Sequence, residues 1–217
     1  TANNKVTPAN YPHNISLEWE EPYRAQRIRE LILSKEKLSL EDMQAMQQDI
    51  TSLLYREFKP VLQMLNPLSE NARQWKARLL AWDGVMRADQ LEPTVFQAWY
   101  SELTRLPSQE VGQECWEQPR YLLAAMRQGD PACQTPDTQT CLDYAALALD
   151  KALDRFNNNP PRWGEVHRAT FPHAILTSVS PLNRLADRAV AHGGDRYTLN
   201  RASYDPSNFR MTVGSSY

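Results

Sequence analysis

The sequence predicts a mainly α-helical chain with a small β portion. Over most of residues 21–160, apolar side chains recur at intervals of three and four, the spacing of one buried helix face. Near the C-terminal end the interval shortens to two, as in a strand with one buried face. Apolar residues make up 41% of the 217 residues, so a core can form. We divide the chain into a loop or strand segment over 1–20, a helical region over 21–160 and a mixed segment over 161–217.

Two helices are predicted in the first third of the chain. The first covers 22–35 and has a proline in its first turn. The second is predicted as one long helix over 40–65, with Ser39 as N-cap and Asp42 completing a capping box. Pro60 lies inside this pattern and predicts a kink or break there. The buried stripe of the long helix is Leu40, Met43, Gln47, Ile50, Leu54, Phe58, Val61 and Leu65.

Three more helices follow from caps and periodicity. Ser69 caps a helix that the Asp-Gly pair at 83–84 stops, and Pro93 opens the next helix. Between residues 106 and 141 the chain is predicted to be irregular, and a strong helical period returns over 141–156. The tryptophans at 75, 82 and 99 lie on helical stripes, so we expect them in the core.

The C-terminal part of the chain shows the alternation typical of strands. The stretch at 196–204 places Tyr197, Leu199 and Arg201 on one side, and the stretch at 209–213 places Phe209, Met211 and Val213 together, with the turn sequence DPSN between them. These stretches predict a β-hairpin. Because a lone hairpin is only marginally stable, we expect it to pair with strands outside this chain, which makes 161–217 a truncated piece of a larger sheet.

Charge and hydropathy exclude two broad classes of partner. The chain has 24 Lys and Arg against 26 Asp and Glu, without a long block of one sign, which argues against a nucleic-acid partner. No run approaches the about 18 to 20 apolar residues of a spanning helix, so we expect no membrane association. Phosphate-binding glycine loops, Gly-x-Ser-x-Gly elbows and His-Glu-x-x-His helices are also absent from the sequence.

Cysteines and histidines give two further expectations. Cys133 and Cys141 bracket a polar loop, and they would form a disulfide in an oxidising compartment or remain free thiols in the cytoplasm. Cys115 stands apart and is predicted to be free. His167 and His173 are too sparse beside these cysteines to form a zinc site, so no metal ligands are predicted.

Three strings carry a resemblance to a known family. These are LLAWDGVMRADQLEPTVFQAWYSEL, RWGEVHRATFPH and GGDRYTLNRASYDPSNFRMTVGSSY, and together they resemble the penicillin amidase family over 3–217. The resemblance implies a fragment of an αββα four-layer N-terminal nucleophile hydrolase fold, taken from the interior of the β chain. It implies as partners the rest of the β chain, the α chain of the same precursor, and a small-molecule amide. The nucleophile would be an N-terminal Ser absent from this chain, so the fragment alone is expected to be inactive.

The resemblance also assigns two candidate catalytic residues. The family uses an asparagine amide as an oxyanion donor, and the match falls on Asn3, with Asn4 as the alternative. An asparagine suits the role because it offers two N–H donors and no titrating charge. A functional Arg a few residues after a Trp matches Arg24 after Trp19, and it would hold the geometry near Asn3 and lend positive charge.

The family comparison adds expectations about metal, histidines and location. Some members hold calcium partly through an Asp, but here the loop before Trp19 has Asn14 and no Asp, so we expect neither a cofactor nor a calcium site from this segment. The base in this mechanism is an α-amine, so His167 and His173 are predicted to be structural. The paired cysteines favour a periplasmic or secreted protein. The alternative is a non-catalytic helical interaction module or an inactive homologue.

Overall fold

The fold is described from a computed structural model of the chain. The structure describes residues 2–8, 10–16, 18–111, 118–128, 136–173, 175–182, 185 and 187–211, without the side chains of 106–111, 128 and 177.

Helices dominate the described residues, and a single two-stranded antiparallel sheet follows them, as the sequence predicts in outline. The elements are α1 (Tyr23–Leu33), α2 (Leu40–Gln47), α3 (Leu53–Met64), α4 (Glu70–Ala81), α5 (Glu92–Val111), α6 (Pro119–Gln128), α7 (Cys141–Asp154), α8 (Trp163–Val166), β1 (Arg168–Phe171), a 3-10 turn (Leu176–Ser178) and β2 (Arg188–Ala191).

The single helix predicted over 40–65 is wrong, because the structure divides it into α2 and α3. Between them the backbone pairs with a distant segment: Met86 N donates to Ile50 O at 3.0 Å, and Ser52 N donates to Gly84 O at 2.9 Å. This pairing holds the chain extended, and Ser52 then caps α3 by accepting from Tyr55 N. No break occurs at Pro60, since α3 continues through it to Met64.

The predicted caps are confirmed. Ser39 and Asp42 form a reciprocal capping box at α2, and the Ser69 hydroxyl accepts from Ala72 N at α4. Helix α6 lies in the stretch that was expected to be irregular, and that expectation is wrong. Its buried side chains Leu122, Leu123, Ala125 and Met126 form a stripe too short to stand out in the sequence.

The core forms where α5 and α7 pack along each other. Trp99 of α5 is fully buried, and its Nε1 donates to Ala145 O of α7 at 2.9 Å. Tyr144 of α7 returns a hydrogen bond from its hydroxyl to Glu102 O at 2.8 Å. Phe58 of α3 meets Trp99 edge to face, with ring centroids 6.2 Å apart. The tryptophans at 75, 82 and 99 are all buried, as predicted.

The predicted C-terminal hairpin can be followed only in part. An isolated antiparallel bridge between Tyr204 and Met211 joins its two stretches, but 196–203 form turns and irregular backbone and not a strand. The second strand stays a prediction, because 212–217 lie outside the described residues. The side chains of Tyr197, Tyr204 and Phe209 turn into the helical core, where they are buried. The turn at DPSN is present, because Phe209 N donates to Asp205 O at 2.7 Å.

The observed sheet lies elsewhere. Strands β1 and β2 are antiparallel, with Arg168 opposite Ala191 and Phe171 opposite Arg188. Each strand has four residues, and seven of the eight are exposed, so neither carries the buried alternation by which strands are recognised in a sequence.

Ser52 and Ser69 provide a matched test of the caps. We expect Ser69→Ala to lower the free energy of unfolding by about 1 kcal/mol, the usual cost of a lost N-cap. Ser52 is 2% exposed and also hydrogen-bonds the buried Asp195 carboxylate. We expect Ser52→Ala to cost about 2 to 3 kcal/mol, because it also removes a donor from a buried charge. Urea unfolding of the full-length protein measures both, and equal losses would contradict the prediction.

Candidate active site

The two candidate catalytic residues lie side by side in the structure. Arg24 Nη2 donates to Asn3 Oδ1 at 3.1 Å and to Ala2 O at 2.8 Å. Asn3 is exposed, Arg24 is half-buried, and Ala2 is buried at 7% exposure. One guanidinium nitrogen therefore holds both the side chain of Asn3 and the backbone that precedes it.

Local structure explains how two segments 21 positions apart meet. Asn3 has φ 64°, a left-handed conformation that asparagine tolerates better than most residues. Its carbonyl accepts from Glu20 N at 2.9 Å, and Asn4 forms a parallel bridge with Glu20. Arg24 is the second residue of α1, where side chains point back toward the helix N-terminus. It therefore reaches the segment that Glu20 aligns.

Tyr23 anchors the start of α1. Its side chain is fully buried, its hydroxyl donates to Glu57 Oε2 at 2.8 Å, and its ring meets Tyr197 edge to face at 5.4 Å. These contacts fix the first turn of the helix and with it the position of Arg24. Tyr23 is thus a packing residue.

The contact with Arg24 determines which way the Asn3 amide faces. A guanidinium donates hydrogen bonds and cannot accept them, so Asn3 must direct Oδ1 toward Arg24 and Nδ2 away from it. Within the described part of the chain, Asn3 Nδ2 donates to no acceptor. Both N–H groups are therefore free for an external oxygen, which is the orientation that an oxyanion donor requires.

Asn4 is less suited to this role. Its Oδ1 accepts from Ala2 N at 3.3 Å, and its Nδ2 donates to Lys5 O at 3.1 Å. Both ends of the amide thus bond to the neighbouring backbone, as in a turn. Of the two asparagines, Asn3 is the one whose amide nitrogen is unused.

The electrostatic environment of Arg24 is unusual. Burial lowers its pKa below the ordinary value, and the positive charges of Arg201 and Arg196 lower it further, while Glu20 opposes the shift. An arginine nevertheless stays protonated, because its ordinary pKa lies above 12. The site therefore places a fixed positive charge directly behind the amide oxygen of Asn3.

The two histidines have structural contacts. His167 is fully buried, stacks on Trp163 with centroids 4.4 Å apart, and places Nδ1 2.9 Å from Phe209 O. His173 accepts at Nδ1 from the backbone of Ile175 and Leu176 and so caps the 3-10 turn. These contacts agree with the structural role predicted for both side chains.

Asp195 holds together the turn that follows the two glycines at 193–194. It is fully buried, and its Oδ1 accepts from Tyr197 N at 2.7 Å and Thr198 N at 2.9 Å. Gln97 Nε2 donates to Oδ2 at 2.7 Å, which ties the turn to α5. Asp195 thereby fixes the segment 194–201. The Asp-x-x-Thr spacing after two glycines signals the cap, but no sequence pattern signals the contact with α5.

His167 and Asp195 predict opposing pH dependences of stability. Burial lowers the pKa of His167 to about 4 and raises that of Asp195 to about 6. The His167 contribution is present above pH 6.5 and is lost as the pH falls toward 4, because only the unfolded chain then takes up the proton readily. The Asp195 contribution is present below pH 3.8 and is lost as the pH rises through 6. Each amounts to about 3 kcal/mol.

We expect the two variants to separate these contributions. As the pH falls from 6.5 to 4, the free energy of unfolding of His167→Gln should rise by about 3 kcal/mol relative to that of the parent. Over the same range, the free energy of unfolding of Asp195→Asn should fall by about as much relative to that of the parent. Urea unfolding of the full-length protein at several pH values measures both slopes. The exposed His13 provides the control through His13→Gln. Slopes parallel to the parent in both variants would contradict this prediction.

The described part of the chain shows neither a cluster of metal ligands nor a membrane-spanning helix. No three His, Cys, Asp or Glu side chains there come together in a way that could hold a metal ion. No step below involves a metal ion. Among the described helices, none combines the length and apolar character needed to cross a bilayer.

Of the three cysteines, the structure describes Cys141. Cys141 is disulfide-bonded at the start of α7. Its predicted partner, Cys133, and the predicted free thiol, Cys115, both lie outside the described residues. The pairing of Cys133 with Cys141 stays a prediction.

The chain is similar over its whole length to known proteins. A family model described as penicillin amidase matches residues 1–217. The penicillin acylase 2 proenzyme of Pseudomonas sp. (strain SE83) is 28% identical, over 100% of this chain and 33% of that protein. The acyl-homoserine lactone acylase QuiP of Pseudomonas syringae pv. tomato is 27% identical, over 94% of this chain and 29% of that protein. The chain spans about a third of the length of these relatives. Since the family model covers every residue, the chain belongs to the penicillin amidase family.

Proposed function

We propose that this chain is an interior segment of the β chain of an N-terminal nucleophile acylase, within an αββα four-layer fold. The observation that carries the proposal is the contact between Arg24 and Asn3 Oδ1, which turns the Asn3 amide nitrogen away from Arg24. Family membership supplies the reaction class. The helices described above form a wall beside the site, and the strands of the larger sheet belong to the rest of the protein.

The proposed reaction is hydrolysis of a linear amide in two stages. An N-terminal Ser, from a part of the protein outside this chain, attacks the amide carbonyl, and its own α-amino group takes the hydroxyl proton. The resulting oxyanion accepts a hydrogen bond from Asn3 Nδ2. The C–N bond breaks as the ammonium returns the proton to the leaving amine. Water, activated by the same amine, then hydrolyses the acyl-enzyme and releases the acid.

Within this scheme the residues of this chain bind and orient and do not attack. Asn3 donates to the oxyanion, and Arg24 fixes the direction of the Asn3 amide. The positive charge of Arg24 also favours the developing negative charge. Because the nucleophile is supplied from outside this segment, we expect the isolated segment to be inactive.

Substrates and location are proposed from two observations. The relatives are named a penicillin acylase and an acyl-homoserine lactone acylase, so we propose an N-acyl amide of one of these kinds as substrate. The disulfide at Cys141 fits an oxidising compartment, and we propose a periplasmic or secreted protein. A related protein is named a proenzyme, which supports a processed precursor whose α chain and remaining β chain are the partners of this segment.

The test is to purify the mature full-length protein and determine its N-terminal sequences and intact mass. We expect a new N-terminal Ser and release of the acyl group from a panel of penicillins and N-acyl-homoserine lactones. A mature protein without a new N-terminal Ser, Thr or Cys, and without turnover of the panel, would favour the alternative, an inactive homologue or helical interaction module.

A further inference from the structure

A cluster of charges adjoins the Asn3 and Arg24 pair. Glu20 Oε1 accepts from Arg201 Nη2 at 3.2 Å and lies 3.5 Å from Arg196 Nη2. The positive charges of Arg196 and Arg201 act on Arg24, and Glu20 acts on it with the opposite sign. Glu20 thus forms ion pairs with two guanidinium groups, and all three of these groups act electrostatically on Arg24.

The cluster is partly withdrawn from water. The side chains of Glu20, Arg196 and Arg201 are 24%, 17% and 27% exposed. Arg201 Nε is buried and has no hydrogen-bond partner among the described residues. Screening by solvent is therefore reduced, and the repulsion among the three guanidinium groups is stronger than it would be on an open surface.

Glu20 is connected to the catalytic pair in two independent ways. Its backbone N–H donates to Asn3 O at 2.9 Å, which sets the position of the Asn3 main chain. Its carboxylate forms ion pairs with both Arg196 and Arg201. Glu20 therefore aligns the extended segment that carries Asn3. It also offsets the positive charges of Arg196 and Arg201, which repel Arg24.

We propose that Glu20 is a positioning residue for the oxyanion donor, acting through its carboxylate to keep Arg24 against Asn3. This inference rests on the function proposed above. Without the Glu20 charge, Arg196 and Arg201 repel Arg24 from its place. Asn3 Oδ1 then loses its donor, and the amide can rotate so that its oxygen, not its nitrogen, faces the reacting carbonyl. In the parent, the Glu20 carboxylate offsets the repulsion that Arg196 and Arg201 exert on Arg24.

The first experiment replaces the charge and keeps the backbone bond. In the full-length enzyme at low salt, we expect Glu20→Gln to lower kcat about 10-fold or more and leave KM nearly unchanged, since the donor is misplaced but substrate contacts remain. Glu18→Gln is the matched control, because Glu18 lies two positions away with an exposed side chain. We expect its kcat to equal that of the parent.

A second experiment separates electrostatics from simple structural damage. We expect the double variant Glu20→Gln with Arg201→Gln to recover much of the lost kcat, because it also removes the positive charge of Arg201 that Glu20 pairs with in the parent. Raising the ionic strength should likewise raise kcat of Glu20→Gln relative to the parent, through screening of the remaining repulsion. A purely structural defect would respond to neither change. If Glu20→Gln does not fold, kcat is measured for the double variant alone, whose net charge equals that of the parent.

The outcomes distinguish the two proposals. A normal kcat for Glu20→Gln, a deficit that neither the double variant nor salt relieves, or a folded but inactive double variant overturns the positioning role. Asn3→Ala provides the reference for the site itself. If Asn3→Ala abolishes turnover while Glu20→Gln does not, only the role of Glu20 fails. If Asn3→Ala turns over normally, the proposed active site fails with it.

Discussion

Replacing Asn3 by Ala in the full-length enzyme is expected to lower kcat about 100-fold or more, with a much smaller change in KM. The amide nitrogen of Asn3 donates to no group in the described chain, so it is available to the oxyanion of the proposed acyl transfer. Removing one such donor costs about 3 to 4 kcal/mol of transition-state stabilisation in other hydrolases. The ground-state carbonyl needs this donor less, and substrate binding should therefore be nearly preserved.

Two variants sharpen this prediction. Asn4→Ala is the matched control, because the Asn4 amide bonds only to the local backbone of Ala2 and Lys5. We expect it to retain turnover. Asn3→Asp should be at least as damaging as Asn3→Ala, since a carboxylate beside Arg24 offers no donor and repels the oxyanion. Equal activity of Asn3→Ala and Asn4→Ala would remove Asn3 from the mechanism.

The sequence alone predicted the helices well where the signal was local. Ser39 with Asp42, and Ser69, are side-chain caps within three residues of the groups they bind, so their chemistry can be read from a short window. The division between α2 and α3 was missed because its cause is not local. The backbone of 50–52 pairs with 84–86, more than 30 positions away, and no pattern within 40–65 contains that information.

The first strand of the expected C-terminal hairpin was missed for a related reason, since 196–203 form turns and irregular backbone. Alternation of Tyr197 with Leu199, and of Phe209 with Met211, fits a strand, but it fits equally a chain that is pinned at intervals to a helical core. Asp195 decides between the two by hydrogen-bonding the next turn and Gln97 of α5. A buried carboxylate with a partner 98 positions away leaves no mark in the local sequence.

The candidate site, too, could be predicted only in part from the sequence. The segments of Asn3 and Arg24 could be identified through the family resemblance, and the structure brings the two side chains together. The surrounding charges could not be predicted. Arg196 and Arg201 meet Glu20 across 176 and 181 positions, and each residue is unremarkable in its own segment. An ion cluster of this kind depends on the folded chain, since it exists only when the turn fixed by Asp195 lies beside the start of α1.

Arg24 gives the second large effect. We expect Arg24→Met to lower kcat about 100-fold, because the side chain both orients the Asn3 amide and supplies the positive charge behind it. Methionine preserves much of the aliphatic stem, so the packing around the first turn of α1 is largely kept. The loss should appear mainly in kcat if the role is to hold the oxyanion donor, and mainly in KM if Arg24 instead binds the substrate uniformly.

Arg24→Lys distinguishes charge from geometry. In the structure one nitrogen, Nη2, serves both Asn3 Oδ1 and Ala2 O, so the bidentate fork of arginine is not what these two contacts use. A lysine ammonium has three donors and can satisfy both oxygens from one atom. We therefore expect Arg24→Lys to retain turnover within about 10-fold of the parent, well above Arg24→Met. If lysine is as damaging as methionine, the fixed guanidinium plane, and not the charge and the shared nitrogen, positions Asn3.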